Sequence, residues 1–476
     1  MTEQSFGVLS ILYALIPVLS TAASLGIEQT LKRFQPEYLR SGQVGLADWL
    51  VRRAAVWRLI SNIVLLAAIL LLWRLVAPIF QLTEYRPEFA IFAILILFHF
   101  QASLLQLSLS SHMLQQYAVG LTALLSIVKL VGYALFIAFS RLTLIHAILV
   151  DLAAYAAMYA CTRYAHWRYC TPPAPERLTE VSKSERSRLL KFGAYNNFND
   201  VGSMILTSKS DNFFIAAFLS PIAAGAYSFY TRLVEMSSQI LPIRLFSNVI
   251  QPMFFSVPKE ESRDRIPRYV TFLFNTTFVL QLPIAAYMTV YHREIVQLLF
   301  GGKFVSDSWL LPLVAWMAAA NRISDPVTYV AQYEEKTAIL LASKLFVFYN
   351  LATMVLLIPV AGIYGAAIST GTAQIFKNLF VWWRVRDLAR WTNFKAFLLC
   401  SCLVWGSAMA LAFAAKSVAH RDWISLAIGA LIFAAATATH VRTPAISESD
   451  RNMLSSLFRG PERRILFRLG LVKQPA

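Results

Sequence analysis

FAIFAILILFHFQASLLQLSLSSH, residues 89–112, decides the fold. The stretch carries no Asp, Glu, Lys or Arg, and it exceeds the ~20 apolar residues that a helix needs to cross the hydrocarbon core. Lipid offers no partner for an open backbone, so a spanning run of this kind must be a helix. On the same criterion the chain holds about thirteen segments, near 6–30, 56–79, 89–112, 117–139, 143–165, 193–219, 223–255, 269–290, 308–332, 338–360, 362–384, 396–415 and 423–440. Composition agrees. Hydrophobic residues make up 57% of the 476 and charged residues 14%, against roughly 25% charged in a soluble chain. With a mean hydropathy of +0.56, the apolar excess has to face lipid. The fold class is an all-α polytopic membrane protein. Spans 193–219 and 308–332 contain Asn, Ser and charged residues, so they are expected to face a protein interior or a wet cavity.

The charge balance is +17, from 43 Lys and Arg against 26 Asp and Glu. In a membrane chain such an excess marks cytoplasmic loops rather than nucleic-acid binding. One set of alternating loops carries Lys32, Arg33, Arg40, Arg52 and Arg53, then the basic stretches within 168–191, 259–268, 386–395 and 442–473. The opposite set has little beyond Arg86, Arg141, Arg293, Lys303, Lys416 and Arg421. This predicts a multi-pass membrane protein with a cytoplasmic C-terminus and, for thirteen spans, an outside N-terminus. No signal peptide is read at Met1–Phe6, which lacks a basic region. The cysteines Cys161, Cys170, Cys400 and Cys402 lie in or beside apolar helices without zinc-site spacing.

The hydropathy pattern repeats in parallel with a period of about 218 residues, an organisation shared by many secondary transporters. Gly7-Val8-Leu9-Ser10 opens the first span, and Gly225-Ala226-Tyr227-Ser228 opens its counterpart. The reading gives an N-terminal lobe at 1–165, a basic linker at 166–192, a C-terminal lobe at 193–386, two additional helices at 387–440 and a basic tail at 441–476. A helix precedes Gly225 but none precedes Gly7, so the first helix of the N-terminal lobe is expected to be missing. A start assigned too far downstream, or a truncation, would explain it.

Catalytic motifs are absent. There is no Walker A pattern, since Gly301-Gly302-Lys303 is too short, no H-E-x-x-H and no G-x-S-x-G. No cofactor, no metal site and no enzymatic activity are expected. Intramembrane charge stands out instead. Lys129 and Arg322 lie near the middles of their spans, and Arg232 about ten residues in, ~15 Å deep. Lys209, Lys344 and Lys377 are off-centre. Charges at such depth usually face a site, whereas Arg58, Arg74, Arg163 and Arg244, nearer span ends, are expected to snorkel to the headgroups. Arg232 with Glu235, and Arg322 with Asp325, are spaced i, i+3 on one helix face. Each pair fits a structural ion pair as well as a substrate site. Asp151 and Asp200 have no such local cation and are the ion-coupling candidates. Prolines 242, 283, 312 and 326 offer bend points.

The run Ser5-Phe6-Gly7 through Ser24-Leu25-Gly26-Ile27-Glu28, with Arg33-Phe34 and Pro36-Glu37-Tyr38, resembles the second helix and first cytoplasmic loop of bacterial polysaccharide exporters. These are the lipid-linked oligosaccharide flippases of the multidrug/oligosaccharidyl-lipid/polysaccharide superfamily. Ala224-Gly225-Ala226-Tyr227-Ser228, Leu299-Phe300-Gly301-Gly302-Lys303-Phe304 and Pro359-Val360-Ala361-Gly362-Ile363-Tyr364-Gly365 are similar to their later helix boundaries. The resemblance implies alternating access of two six-helix lobes around a cationic cavity, and a lipid-diphosphate-linked sugar repeat unit as cargo. It also implies the bilayer, and polymerase and chain-length machinery, as partners. Lys129, Arg232, Arg322, Lys344, Lys377 and Lys209 would then meet the diphosphate. Two alternatives stand beside this. A multidrug/cation antiporter would want an acidic, aromatic cavity, and a polysaccharide polymerase or ligase would want a long outside catalytic loop.

Overall fold

The computed structural model describes all residues except 140–141, 172–180, 206–207, 240–256, 335, 419–420, 448–449 and 452–476; the side chains of 115, 195–196, 198–205, 208 and 337 are likewise outside the description. Among the described residues there are α-helices and short 3₁₀ turns and no strand, and nine helices are long and apolar enough to cross a membrane. The chain forms two compact units, Met1–Gly225 and Ala226–Ala476.

The first unit begins with α1 (Glu3–Ser24), whose N-cap Thr2 accepts a hydrogen bond from the Ser5 amide. That satisfies one of the free N–H groups at the helix start. The span expected over 6–30 stops earlier, at Leu25 (φ 48°) and Gly26 (φ 77°). Here a left-handed pair turns the chain into the amphipathic α2 (Ile27–Arg40). A Cβ on Gly26 would sit 1.8 Å from the carbonyl oxygen of Gly193, so both the dihedral and the close approach demand glycine. Gly26→Ala is expected to cost about 1–2 kcal/mol for the left-handed backbone and a further ~1–3 kcal/mol for the forced displacement. An unchanged melting temperature in detergent would contradict this contact.

The unit continues with α3 (Val44–Leu71), α4 (Arg86–Ser111), α5 (Gln115–Phe139), α6 (Leu144–Cys170), α7 (Lys183–Ile205) and α8 (Ser208–Phe218). Helices α4 and α6 pack along each other, with α5 lying on α6. Val56, Trp57, Ile60, Ile63 and Val64 of α3 are exposed, a face that only lipid can cover. The units divide at Gly225/Ala226 rather than in the basic linker, because α7 and α8 pack on α1. Gly7 and Gly225, the glycines paired by the repeat, lie against each other, and a Cβ on Gly225 would approach Gly7 Cα to 2.7 Å. At the far end, Arg188 of α7 bridges Glu37 (3.3 Å) and Glu185 (3.2 Å). Tyr38 donates to Glu185, and burial, then that hydrogen bond, raises the Tyr38 phenol above its usual range.

The second unit holds most of α9 (Pro221–Gln239), then α10 (Ser262–Phe300), α11 (Leu310–Ala320), α12 (Ser324–Tyr333), α13 (Phe346–Val385), α14 (Phe394–Val418) and α15 (Asp422–Arg442). The bends are not where the prolines predict. Pro283 stays within helical backbone, and α10 breaks at Tyr291 (φ −111°, ψ 19°). Pro312 and Pro326 each fall in the first turn of a helix, where a missing N–H costs nothing. Pro242 lies outside the described residues. Residues 346–360 of span 338–360, and span 362–384, are limbs of α13, which reverses at Gly362 (φ 57°, ψ −138°). The first of these spans opens instead on a short helix, Thr337–Ala342, and a 3₁₀ turn, Ser343–Leu345. A Cβ on Gly365 would meet the Leu357 carbonyl oxygen at 2.3 Å, and Tyr349 reaches Thr372 at 3.3 Å across the limbs. An aromatic core of Phe274, Phe278, Trp391 and Phe397 ties α10 to α14. Beside it Asn275 bridges Trp391 and Asp450, 2.9 Å each.

Candidate functional site

In the first unit a polar stripe runs along α5. Thr122, Ser126, Lys129 and Tyr133 recur at i, i+4, i+7 and i+11, which keeps them on one helical face. Opposite, Ser103, Gln106 and Ser110 of α4 share a second face. Glu28 and Lys32 of α2, the three α4 side chains, and Thr122 and Ser126 of the stripe line a cavity of about 600 Å³ together with Leu107, Ala118, Val119 and Ala123; Lys129 and Tyr133 are not part of its lining. Gln106 reaches the Ala118 carbonyl (3.4 Å) and the Thr122 hydroxyl (3.5 Å) across it. From Thr122 to Lys129 the stripe climbs about 10 Å at 1.5 Å per residue.

Lys129 ends the climb in a cage. Its ammonium lies 3.0 Å from Asp151 Oδ1 and donates to the Tyr13 hydroxyl at 3.4 Å. It also sits over the Tyr155 ring at 4.4 Å, an arrangement that stabilises a desolvated cation. Asp151 is fully buried, whereas the Lys129 side chain keeps 20% of its surface. The cation therefore stands between its buried counter-charge and the outside. Asp151 is not the unpaired carboxylate that the spacing on its own helix suggested. The partner comes from the neighbouring helix, and local i, i+3 and i, i+4 spacings cannot show it. One signal in the sequence does: Lys129 and Asp151 lie about equally far from the α5–α6 connection, so an antiparallel hairpin brings them level.

A second buried cation was misplaced by sequence reasoning. Arg58, expected to snorkel, is the largest fully buried side chain among the described residues, at 1% exposure. It pairs with Glu28 at 3.0 Å, donates to Ser20 O and Oγ at 2.9 Å each, and lies 4.6 Å over the Phe100 ring. Its stem points inward because α1 breaks at Leu25–Gly26 and delivers Glu28 in the first turn of α2, where a carboxylate also favours the helix dipole. His99, whose ring packs on Tyr155 at 4.8 Å, is within electrostatic reach of both Lys129 and Arg58. Arg74 and Arg163 are exposed, consistent with their expected place, and Arg244 lies outside the described residues.

In the second unit the cations sit at helix breaks. Arg322 occupies the 3₁₀ turn Asn321–Ile323 between α11 and α12, and Lys344 the 3₁₀ turn Ser343–Leu345 just before α13. Such interruptions free backbone groups at a site. Asn378 of α13 donates to Asn321 O (3.4 Å) and Oδ1 (3.3 Å). Its neighbour Lys377 is half-buried with Lys344 and Asp325 as charged neighbours. The structure thus gathers Lys344, Lys377 and Asp325 around the interrupted span. On α9, Arg232 is exposed and Glu235 half-buried; on α8, Lys209 is half-buried two residues before the buried Asp211. The Asp200 side chain falls outside the described residues. Among the described residues no three His, Cys, Asp or Glu side chains come together as metal ligands.

The family model for polysaccharide biosynthesis proteins matches residues 1–308, and the chain belongs to that family. No curated protein matches the sequence significantly. Several solved structures match the fold, two of them with TM-scores above 0.6. One is an inward-facing multidrug resistance MATE family transporter of the MOP superfamily, with TM-score 0.66 and 14% identity over 81% of this chain and 91% of that one. The other is the lipid II flippase MurJ in an inward closed conformation, with TM-score 0.63 and 12% identity over 92% of this chain and 98% of the other. The chain is a multi-pass, all-helical membrane protein with the fold of these transporters.

Proposed function

We infer that this member of the polysaccharide biosynthesis family flips a lipid-diphosphate-linked oligosaccharide repeat unit across the bilayer, without catalysing a reaction. The observation that carries the reading is the cavity where Ser, Thr and Gln side chains of α4 and α5 meet Glu28 and Lys32 of α2, on a face of α5 that continues to the caged Lys129, whose side chain keeps 20% of its surface. Hydroxyl and amide groups suit sugars, and a caged cation suits a phosphate that has left water. Arg322, Lys344 and Lys377 supply further positive charge in the second unit, and a prenyl tail needs only the lipid outside. The drug/cation antiporter reading draws on Glu28 and Asp151. Both already hold a cation, Arg58 and Lys129, and Asp151 is fully buried behind Lys129, whose side chain keeps 20% of its surface. The expected place of action is the bacterial inner membrane, with polymerase and chain-length machinery downstream and the basic loops cytoplasmic.

Cells lacking the gene are expected to accumulate lipid-linked repeat units accessible only from the cytoplasmic side, and to lose surface polymer. Normal export in such cells, or an altered drug susceptibility instead, would overturn the assignment.

A further inference from the structure

A second cleft in the first unit, about 380 Å³, shares no lining residue with the polar cavity. Its floor is apolar, with Leu50 of α3 and the buried Leu189 of α7. Four polar-tipped side chains stand around it: Trp49, Arg53 and Trp57 from α3, and Arg186 from α7. Arg52 next door is taken by Asp48, at 2.8 Å. Arg53 and Arg186 are both exposed, and no carboxylate pairs with either among the described residues. The Arg186 guanidinium lies 5.9 Å over the Trp49 ring. Trp49 itself is 8% exposed, and its indole N–H has no hydrogen-bond partner. That N–H is closed off from the cleft's open space, so the polar groups free to meet a ligand there are the two guanidinium heads.

The level of the cleft identifies the anion that would meet them. The lipid-facing surface of α3 starts at Val56 and Trp57 and continues through Ile60 and Val64, while Arg52 and Arg53 lie just before it. Tryptophan and arginine at such an edge mark the headgroup layer of a bilayer. We propose that this cleft is a binding site for the phosphate headgroup of an anionic phospholipid. Arg53 and Arg186 neutralise the phosphate, and the first methylenes of an acyl chain lie against Trp57 and the leucine floor. Charge selects the lipid class: two unpaired cations favour phosphatidylglycerol over zwitterionic phosphatidylcholine. The site is a lipid contact independent of the transported cargo, and the cleft is too small for an oligosaccharide.

The test uses the full-length chain in phosphatidylcholine nanodiscs. Phosphatidylglycerol with brominated acyl chains is titrated in, and the quenching due to Trp57 is taken as the difference between the native chain and Trp57→Phe. Half-maximal quenching is expected at a several-fold lower mole fraction than with brominated phosphatidylcholine. Arg53→Gln/Arg186→Gln should raise that fraction at least threefold, and Arg53→Lys/Arg186→Lys should restore much of it. Both arginines are exposed, so the variants should keep the native melting temperature in detergent, which is measured alongside. Equal quenching by the two lipids, or by the native and Gln forms, overturns the proposal. So does displacement of the brominated lipid by substoichiometric prenyl diphosphate, which would assign the cleft to the cargo. No arm depends on transport, so failure here leaves the flippase reading standing.

Discussion

A Lys129→Gln/Asp151→Asn double variant is expected to fold as the native chain does and to transport at least roughly tenfold more slowly, the factor that ~1.4 kcal/mol of lost phosphate contact implies. The single variants separate the two effects. Asp151→Asn leaves the Lys129 ammonium among aromatic rings without its counter-charge. Breaking a buried pair costs about 3–5 kcal/mol, and the lower end applies because Lys129 keeps 20% of its side-chain surface. Lys129→Gln leaves Asp151, fully buried, and should destabilise more. Neutralising both removes the unpaired charge and returns the melting temperature towards the native value. A hydrogen bond from a charged donor contributes roughly 1.5–3 kcal/mol, so transport stays impaired if the cation meets the diphosphate. Reconstituted flipping assays and detergent melting curves read the two quantities separately. Native transport by the double variant would reduce Lys129 to a packing role.

The second large effect is structural. Glu28→Ala removes the counter-charge of Arg58 at the α1–α2 break, leaving a guanidinium with 1% exposure. The expected loss is about 3 kcal/mol, again the lower end of the buried-pair range, because Glu28 is 31% exposed and the Ser20 bonds remain. Arg58→Met/Glu28→Ala should recover most of it, since an apolar side chain of similar length fills the site without charge. Should Glu28→Ala melt with the native chain, the ion pair does not hold the break.

Hydropathy made the fold class legible, because lipid-facing positions such as Ile60 and Val64 need no partner to declare themselves. Gly362 was legible as a span boundary, and the polar span 308–332 is interrupted by the 3₁₀ turn Asn321–Ile323. The repeat also brought out Gly7 and Gly225 before their contact was visible. What failed were readings confined to one helix. Arg58 sits near a span end and therefore read as snorkelling, yet Glu28, thirty residues earlier in the chain, draws it inward. Asp151 read as solitary because its cation belongs to α5. Proline is a local signal, and α10 keeps helical backbone at Pro283 and breaks at Tyr291. In the second unit, Arg322 and Lys344 were marked by charge, but that each sits on a 3₁₀ turn is invisible to periodicity.

Helix α5 has one more consequence. None of its apolar window is buried within the unit, and it rests on α6 and, more lightly, on α4. Opening free energies within a protein range from near zero to the global value, and sparsely buried segments take the low end. The amides of α5 should thus exchange with deuterium sooner than those of α4 or α6, with the Lys129–Asp151 contact setting how soon. An anion that engages Lys129 competes with Asp151 for the same ammonium, so anion binding there and the opening of α5 are thermodynamically linked.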